Sequence, residues 1–345
     1  MVSACNSTPF PILNPTFPDF EDAAEDDDLA SGAAPIILNL APAHCGVRLD
    51  KVLSQLLPQY SRSRLQQWIE AGCVSIDGRP ARAKMQVLGD ETITVLPQEV
   101  PEEGAYEPQP MALSILFEDE AILVLDKPAG LVVHPAAGNW SGTLLNGLLH
   151  HAPALAGVPR AGIVHRLDKE TSGLMVVAKT LEAQTALVRQ LQARTVTREY
   201  LALVWGAPQL SGHVDAPIGR HPRDRVRMAV SRHAGAKPAV THYQRVATGF
   251  LNEQPVALLR CRLETGRTHQ IRVHMQSIGF PLVGDQVYGK PHLAAVFPRQ
   301  ALHAHRLAFE HPATHADCAW QADVPGDIAA LLKRAGIAAV EGEWR

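Results

Sequence analysis

Cysteine is scarce and irregular: Cys5, Cys45, Cys73, Cys261 and Cys318 form no CxxC pair and no repeating spacing in the 345 residues. A disulfide scaffold and a zinc ribbon are therefore not expected, and a reducing compartment is. The first residues lack a basic stretch followed by an apolar core, so no secretory leader is expected. No apolar run approaches the length of a membrane span, which points to a cytoplasmic protein with no membrane contact. There is no Gly-rich phosphate loop and no HExxH, so neither a cofactor nor a metal is expected. His269 and His274 are five residues apart and do not share a helix face, which argues against joint metal ligation.

The formal net charge of -3 is a sum of unlike parts. Residues 1–46 hold seven acids and no Lys or Arg, and residues 85–120 hold nine acids and no base. By contrast, residues 47–84 carry seven bases against three acids, and residues 121–345 carry 25 against 16. Two basic bodies are thus preceded and separated by acidic strips. A basic surface suits a polyanionic partner, and the near-neutral total conceals it.

Residues 1–44 are rich in Pro, Ala and Asp and include Glu25-Asp26-Asp27-Asp28. That composition predicts a disordered acidic tail. Order is expected near Gly46, where Leu49, Val52, Leu53, Leu56 and Leu57 follow one helix face. Pro58 ends that helix, and Ser61 caps a second one carrying Leu65, Trp68 and Ile69. Val74-Ser75-Ile76 then alternates into an Asp77-Gly78 hairpin turn. A helix pair plus a hairpin predicts a small module over 45–97, decorated by Arg62, Arg64, Arg79, Arg82 and Lys84. Residues 98–110, with Pro101, Pro108 and Pro110 among four glutamates, read as a linker.

The larger domain is expected over 111–338. Strands are predicted at Ile122–Leu125, Leu174–Ala178, Glu199–Trp205, Pro238–Val246, Val256–Leu263 and Leu302–Phe309. Helices are predicted at Thr143–His150, from the Thr180 cap to Ala193, and at Thr268–Ser277. This order implies an α+β fold with a mixed, mostly antiparallel sheet. Arg220, Arg223, Arg225 and Arg227, with Arg232 and Lys237, form a basic run suited to phosphates.

Two polar clusters interrupt the apolar pattern. Gly162-Ile163-Val164-His165-Arg166-Leu167-Asp168-Lys169-Glu170-Thr171-Ser172-Gly173 precedes a buried strand. Glu264-Thr265-Gly266-Arg267-Thr268-His269-Gln270-Ile271-Arg272-Val273-His274 joins a strand to a helix. Taken singly, the first is an ordinary surface turn and the second a capped core helix. Arg198-Glu199-Tyr200-Leu201-Ala202-Leu203 places a tyrosine in an apolar strand, where it is usually a core residue.

Their combination and order decide the reading. His165-Arg166-Leu167-Asp168, then Arg198-Glu199-Tyr200, then Glu264 to His274 resembles the pseudouridine synthases that modify large-subunit ribosomal RNA. Tyr60 to Arg64, Asp126-Lys127-Pro128, Leu131-Val132-Val133-His134-Pro135, Pro159 to Asp168 and Pro281-Leu282-Val283-Gly284-Asp285 extend the resemblance over roughly residues 45–335. The acidic segment 1–44 lies outside it. The resemblance implies a pseudouridine synthase fold with an N-terminal RNA-binding domain, isomerising uridines in 23S ribosomal RNA or the large-subunit precursor, in the hairpin that bridges the subunits. The enzyme is expected to act as a monomer.

The same resemblance assigns the catalytic carboxylate to Asp168. Its charge partner is Arg272, with Arg267 as second candidate, and Tyr200 stacks on the uracil or moves a proton. His165, Leu167, Thr171 and Arg267 are expected to bind the uridine. A stacked uridine must be flipped out, and the planar guanidinium of Arg166 suits the gap it leaves. Arg62, Arg64, Arg79, Arg220, Arg223 and Arg225 are expected to hold the RNA. Two rivals stand beside this reading. One is an RNA-binding or ribosome-assembly protein that keeps the fold without catalysis, which intact Asp168, Tyr200 and Arg272 speak against. The other is a glycoside-type hydrolase using Asp168 with a second acid such as Glu170, weakened because carboxylates two residues apart on a loop have no assured geometry across a sugar.

Overall fold

The computed structural model describes residues 34–98, 103–136, 138–224 and 227–337. The chain divides into two compact units, Met1–Glu99 and Val100–Arg345.

In the small unit, β1 (Ile36–Asn39), α1 (Leu49–Leu56), α2 (Arg62–Glu70), β2 (Val74–Ile76), β3 (Arg79–Pro80) and β4 (Thr92–Val95) follow in order. The strands form an antiparallel sheet ordered β1-β4-β2-β3. Leu49, Val52 and Leu53 of α1 pack with Leu65, Trp68 and Ile69 of α2 in one core. The Ser61 hydroxyl accepts from the Arg64 amide and starts α2. Asp77 and Gly78 have φ of 48° and 74°, as a two-residue type I′ turn requires. The expectation of disorder over 1–44 fails from Ile36 onward, because β1 pairs with β4 from Ile36↔Val95 to Asn39↔Thr92. Ile36 and Leu38 alternate toward the core, a period-2 signal four residues long that bulk composition averaged away. Residues 1–33 lie outside the described ones.

The large unit begins earlier than expected. Residues 103–106, assigned above to the linker, form a short 3-10 turn. The Asn146 amide holds this segment by donating to the carbonyls of Ala105 (3.1 Å) and Glu107 (2.9 Å), and Ala105 is buried.

After that turn come β5 (Ser114–Glu118), β6 (Ile122–Lys127), α3 (Leu144–His151), β7 (Ser172–Ala178), α4 (Leu181–Ala193) and β8 (Thr197–Trp205). Next are β9 (Ser211–Asp215), β10 (Ile218–Arg220), β11 (Met228–Val230), β12 (Val240–Leu251) and β13 (Gln254–Leu263). The chain closes with α5 (Gln270–Ser277), β14 (Leu302–Glu310), β15 (Asp317–Gln321) and α6 (Gly326–Arg334). A nine-stranded sheet runs β5-β6-β7-β14-β8-β13-β12-β9, with β15 beside β14. All its pairings are antiparallel except β7 with β14. The α+β reading with a mixed, mostly antiparallel sheet holds. β10 and β11 form a separate two-stranded ribbon.

The central strands are apolar on both faces, so they read as continuous hydrophobic runs. One face, with Leu123, Met175, Ala202 and Leu259, packs against Leu144 and Leu148 of α3 and Ile271 and Met275 of α5. On the other, Val124 and Val176 meet Leu187 of α4, while Leu201 and Leu203 meet Leu331 of α6. The segment before β7 is bracketed by two glycines that nothing else can replace. At Gly162 (φ 74°) an added Cβ would lie 1.8 Å from the Ala178 carbonyl oxygen, and at Gly173 (φ 117°) 2.3 Å from that of Ala304. The loop between them is thereby pinned to β7 and β14.

Candidate active site

Asp168 stands near the middle of this loop, its carbonyl accepting from the Thr171 amide at 3.0 Å. The loop is clamped from beneath by Lys127, at the end of β6. Its buried ammonium donates to the carbonyls of Pro128 (2.7 Å), Leu131 (2.9 Å) and Lys169 (3.0 Å), which uses all three of its protons. Burial pulls the Lys127 pKa down to about 8, against the pull of Glu170 and Asp168, so the ammonium persists at neutral pH.

Facing Asp168 is Arg272, on the first turn of α5. Its Nη1 donates to Asp168 Oδ2 at 3.0 Å. The other edge of the guanidinium forms a two-point fork on Asp285, Nε to Oδ2 at 2.7 Å and Nη2 to Oδ1 at 3.0 Å. Asp285 is fully buried and also accepts from the amides of Val287 and Tyr288, each at 2.9 Å. Burial would raise its pKa, but these donors, Arg272 first, hold it below the usual carboxylate range. Conversely, burial alone would lower the Arg272 pKa, but Asp285 and Asp168 push it higher. Asp285 therefore fixes the arginine, and the arginine fixes Asp168. The alternative partner, Arg267, turns away and donates from Nε to the Pro238 carbonyl at 3.1 Å.

The second oxygen of Asp168 is left open. Oδ1 has His269 Nε2 at 3.9 Å. His269 Nδ1 is 2.9 Å from the Tyr288 hydroxyl, which already accepts from the Met228 amide at 2.8 Å. The Tyr288 ring also carries the guanidinium of Arg272 at 5.1 Å from its centroid. His269 sits at φ 57°, and this left-handed residue delays α5 to Gln270, two residues later than expected. Gln270 secures the entry by donating to the Val240 carbonyl and accepting from the Arg267 amide, both at 3.0 Å.

Asp168, Arg272, His269 and Gln270 border a cleft of about 820 Å³ that is also lined by Tyr200, Leu167, Thr171, His165 and Arg166. Six arginines (Arg160, Arg166, Arg194, Arg198, Arg267, Arg272) face two carboxylates (Asp168 and Glu264) along its walls. Tyr200 is in β8 with its ring in the main core, and burial raises its pKa. Leu167 is buried, and the Thr171 hydroxyl accepts from Gln300 at 3.2 Å. Arg166 is exposed. The fold thus brings Asp168, Arg272, Tyr200, His165, Arg166, Leu167, Thr171 and Arg267 to one cleft. Asp285, Tyr288, His269 and Lys127 are additions that sequence reasoning missed. Asp285 lay within a quoted motif but received no role, since its bond to Arg272 is tertiary and has no local signal.

The arginines expected at RNA are distributed otherwise. Arg62 donates to the buried carboxylate of Asp50 at 2.8 Å, alongside Arg48 and Gln66, and is half exposed. Arg64 lies on α2 and Arg79 is exposed on β3. In the large unit Arg220 ends β10, and Arg223 is exposed in the following turn. Arg225 lies outside the described residues. No group of three or more His, Cys, Asp or Glu among the described residues is placed to hold a metal ion.

His165 is fixed in its neutral form, with Nε2 accepting from the Val176 amide at 3.1 Å. Burial, then the nearby Arg198, hold its pKa at about 3, and burial holds fully enclosed His303 at about 4. Unfolded histidine takes its proton near pH 6.5, so the stabilisation is complete above that pH and is lost as pH falls toward the folded values. Urea unfolding should therefore show stability dropping between pH 6.5 and 4.5 by up to about 1.4 kcal/mol per pH unit for each such histidine. His303→Gln should flatten that slope. Unchanged stability across the window would contradict the assignment of neutral rings.

The sequence from residues 121 to 277 matches the family model for RNA pseudouridylate synthase, and residues 47–93 match that of the S4 domain. A Nitrosomonas europaea protein named ribosomal large subunit pseudouridine synthase D is 53% identical over 322 residues, covering 90% of this chain and 92% of its own. A Pseudomonas aeruginosa protein of the same name is 51% identical over 88% of this chain and 96% of its own. Among solved structures, human RNA pseudouridylate synthase domain containing 1 aligns with a TM-score of 0.52 at 27% identity, over 66% of this chain and 90% of that one. With half its residues shared across most of its length, the chain belongs to the RNA pseudouridylate synthase family, its large unit carrying the synthase fold and its small unit an S4 domain.

Proposed function

We propose that this RNA pseudouridine synthase acts on large-subunit ribosomal RNA, in the hairpin that bridges the subunits, with Asp168 as its catalytic carboxylate. The reading of the site rests chiefly on one observation: Asp168 Oδ2 is bound by Arg272 at 3.0 Å while Oδ1 faces an open cleft. The names of the relatives support the choice of RNA.

Isomerisation breaks the N1–C1′ bond of uridine, turns the uracil and joins C5 to C1′. N1 gains a proton and C5 loses one, so no electrons or groups are imported. One ionised oxygen must stand beside the sugar, either attacking carbon or accepting a sugar proton. In this proposal Oδ1 is that oxygen, and the guanidinium on Oδ2 holds the carboxylate in place. Tyr200 supplies the stacking surface. Its phenol is kept neutral by burial, so stacking suits it better than proton removal. Arg166, exposed at the cleft, fills the gap left by the flipped base. Glu170, needed by a hydrolase, is not among the residues lining the cleft. The protein acts in the cytoplasm as a monomer, and no helix among the described residues is long and apolar enough to cross a membrane.

The test is release of tritium from large-subunit RNA labelled at uridine C5. Stoichiometric release from the bridging hairpin supports the reading; none from any large-subunit fragment refutes it. The same RNA tests Arg223. Arg223→Ala should flatten the dependence of log Kd on log salt by about one unit, with saturated turnover little changed. An unaltered slope would remove Arg223 from the phosphate contacts.

A further inference from the structure

Arg198, in the segment preceding Tyr200, is not used by the chemistry above. It is the second residue of β8, so it shares a strand face with Tyr200, and it lines the same cleft. The residue is 7% exposed. Its Nη2 donates to the Glu264 backbone carbonyl at a long 3.3 Å, and its Nε is buried with no acceptor. No carboxylate among the described residues pairs with it. Glu264, whose backbone carbonyl Arg198 reaches, has its carboxylate taken by His242 at 2.6 Å and Arg194 at 2.8 Å. Nor is the space accidental. Gly266 leaves room for the guanidinium, since a Cβ there would come within 2.8 Å of Arg198 Nη1.

A buried guanidinium with one weak neutral acceptor is an incomplete interaction. Arginine cannot shed its proton, so the charge remains and calls for an anion. His165 does not supply one, and Arg198 itself helps keep that ring neutral. Arg267, on the same side, only adds positive charge. The anion that an RNA substrate carries into this cleft is its own backbone. Arg198, Tyr200 and Asp168 all line this one cleft, so a nucleotide held against Asp168 brings its phosphates along the wall that carries the guanidinium.

We infer that Arg198 is a positioning residue that receives a phosphodiester flanking the target uridine. The inference rests on the proposal that Asp168's cleft takes the flipped nucleotide. The substrate's phosphate completes the ion pair that the protein leaves open, and so registers C1′ against Asp168.

The test uses the full-length protein and a hairpin RNA carrying a neutral methylphosphonate on the 5′ or the 3′ side of the target uridine. Each has 2′-O-methyl on the sugar 5′ to that linkage and is compared with the same RNA bearing the ordinary phosphate. Losing a charged contact should weaken wild-type binding on the order of ten- to a hundredfold at one of the two positions. Arg198→Ala should lose the same factor on the ordinary RNA and nothing further with that methylphosphonate. Arg198→Lys should recover part of it. If the losses multiply at both positions, or wild type is indifferent to both, the inference is overturned; should Arg198→Ala not fold, Arg198→Lys carries the same comparison. Pseudouridine formed on the unmodified hairpin is scored separately. A working enzyme indifferent to both phosphates therefore rejects Arg198's role alone, and an inactive one rejects the function.

Discussion

Asp168→Asn is expected to lower pseudouridine formation by more than about 10³-fold while leaving RNA affinity within a few-fold of wild type. The amide keeps the size of the carboxylate, and its oxygen can still accept from Arg272 Nη1. What disappears is the negative charge on Oδ1, the atom that faces the cleft. The fold should barely register the change, because Arg272 retains its two-point fork on Asp285 at 2.7 and 3.0 Å. Single-turnover tritium release, binding titration and a thermal melt distinguish these effects. Substantial turnover by the Asn protein would remove Asp168 from the catalytic role. Lost binding with an intact melt would make it a binding residue.

Arg272→Met should damage both the chemistry and the fold. Asp285 would remain fully buried with two backbone donors but no cation. Stranding one partner of a buried ion pair costs about 3–5 kcal/mol. In a unit this large, that corresponds to a melting point lower by roughly 6–20 °C. Pairing the change with Asp285→Leu should restore much of the stability, since no buried charge is then stranded. It should not restore turnover, because Asp168 still lacks its guanidinium. Arg272→Lys should rescue in part, for one ammonium cannot reproduce the fork on Asp285 and also reach Asp168. The salt slope of RNA binding should be unchanged in all three, because the pair is shielded from solvent ions. A stable single mutant, or an active double mutant, would contradict the linkage from Asp285 through Arg272 to Asp168.

Where the chain's periodicity was strong, the fold was legible. The apolar face of α1, the Ser61 and Thr180 caps and the Asp77-Gly78 turn all depend on neighbours in sequence, and each stands as expected. Short edge elements were not legible. β1 has four residues with two facing inward, and β5, β9, β10, β11 and β15 have three to five each, too few for a periodic signal. The turn at 103–106 owes its order to the Asn146 amide some 40 residues away, which no local composition reports. Of the site, the order of Asp168, Tyr200 and Arg272 could be read from motif strings. The choice between Arg272 and Arg267 needed the left-handed His269, which sets where α5 starts; both arginines line the cleft, but only Arg272 reaches Asp168. Asp285 and Lys127 were hidden for a similar reason, since their roles are hydrogen bonds across the fold.

The central claim is most directly tested by mapping pseudouridines in large-subunit ribosomal RNA from cells lacking this protein, complemented with either the wild-type chain or Asp168→Asn at equal expression. The account predicts that pseudouridines in the bridging hairpin are absent from the deletion strain, return with the wild-type chain and do not return with Asp168→Asn. An unchanged pattern in the deletion strain, or restoration by the Asn protein, would contradict it.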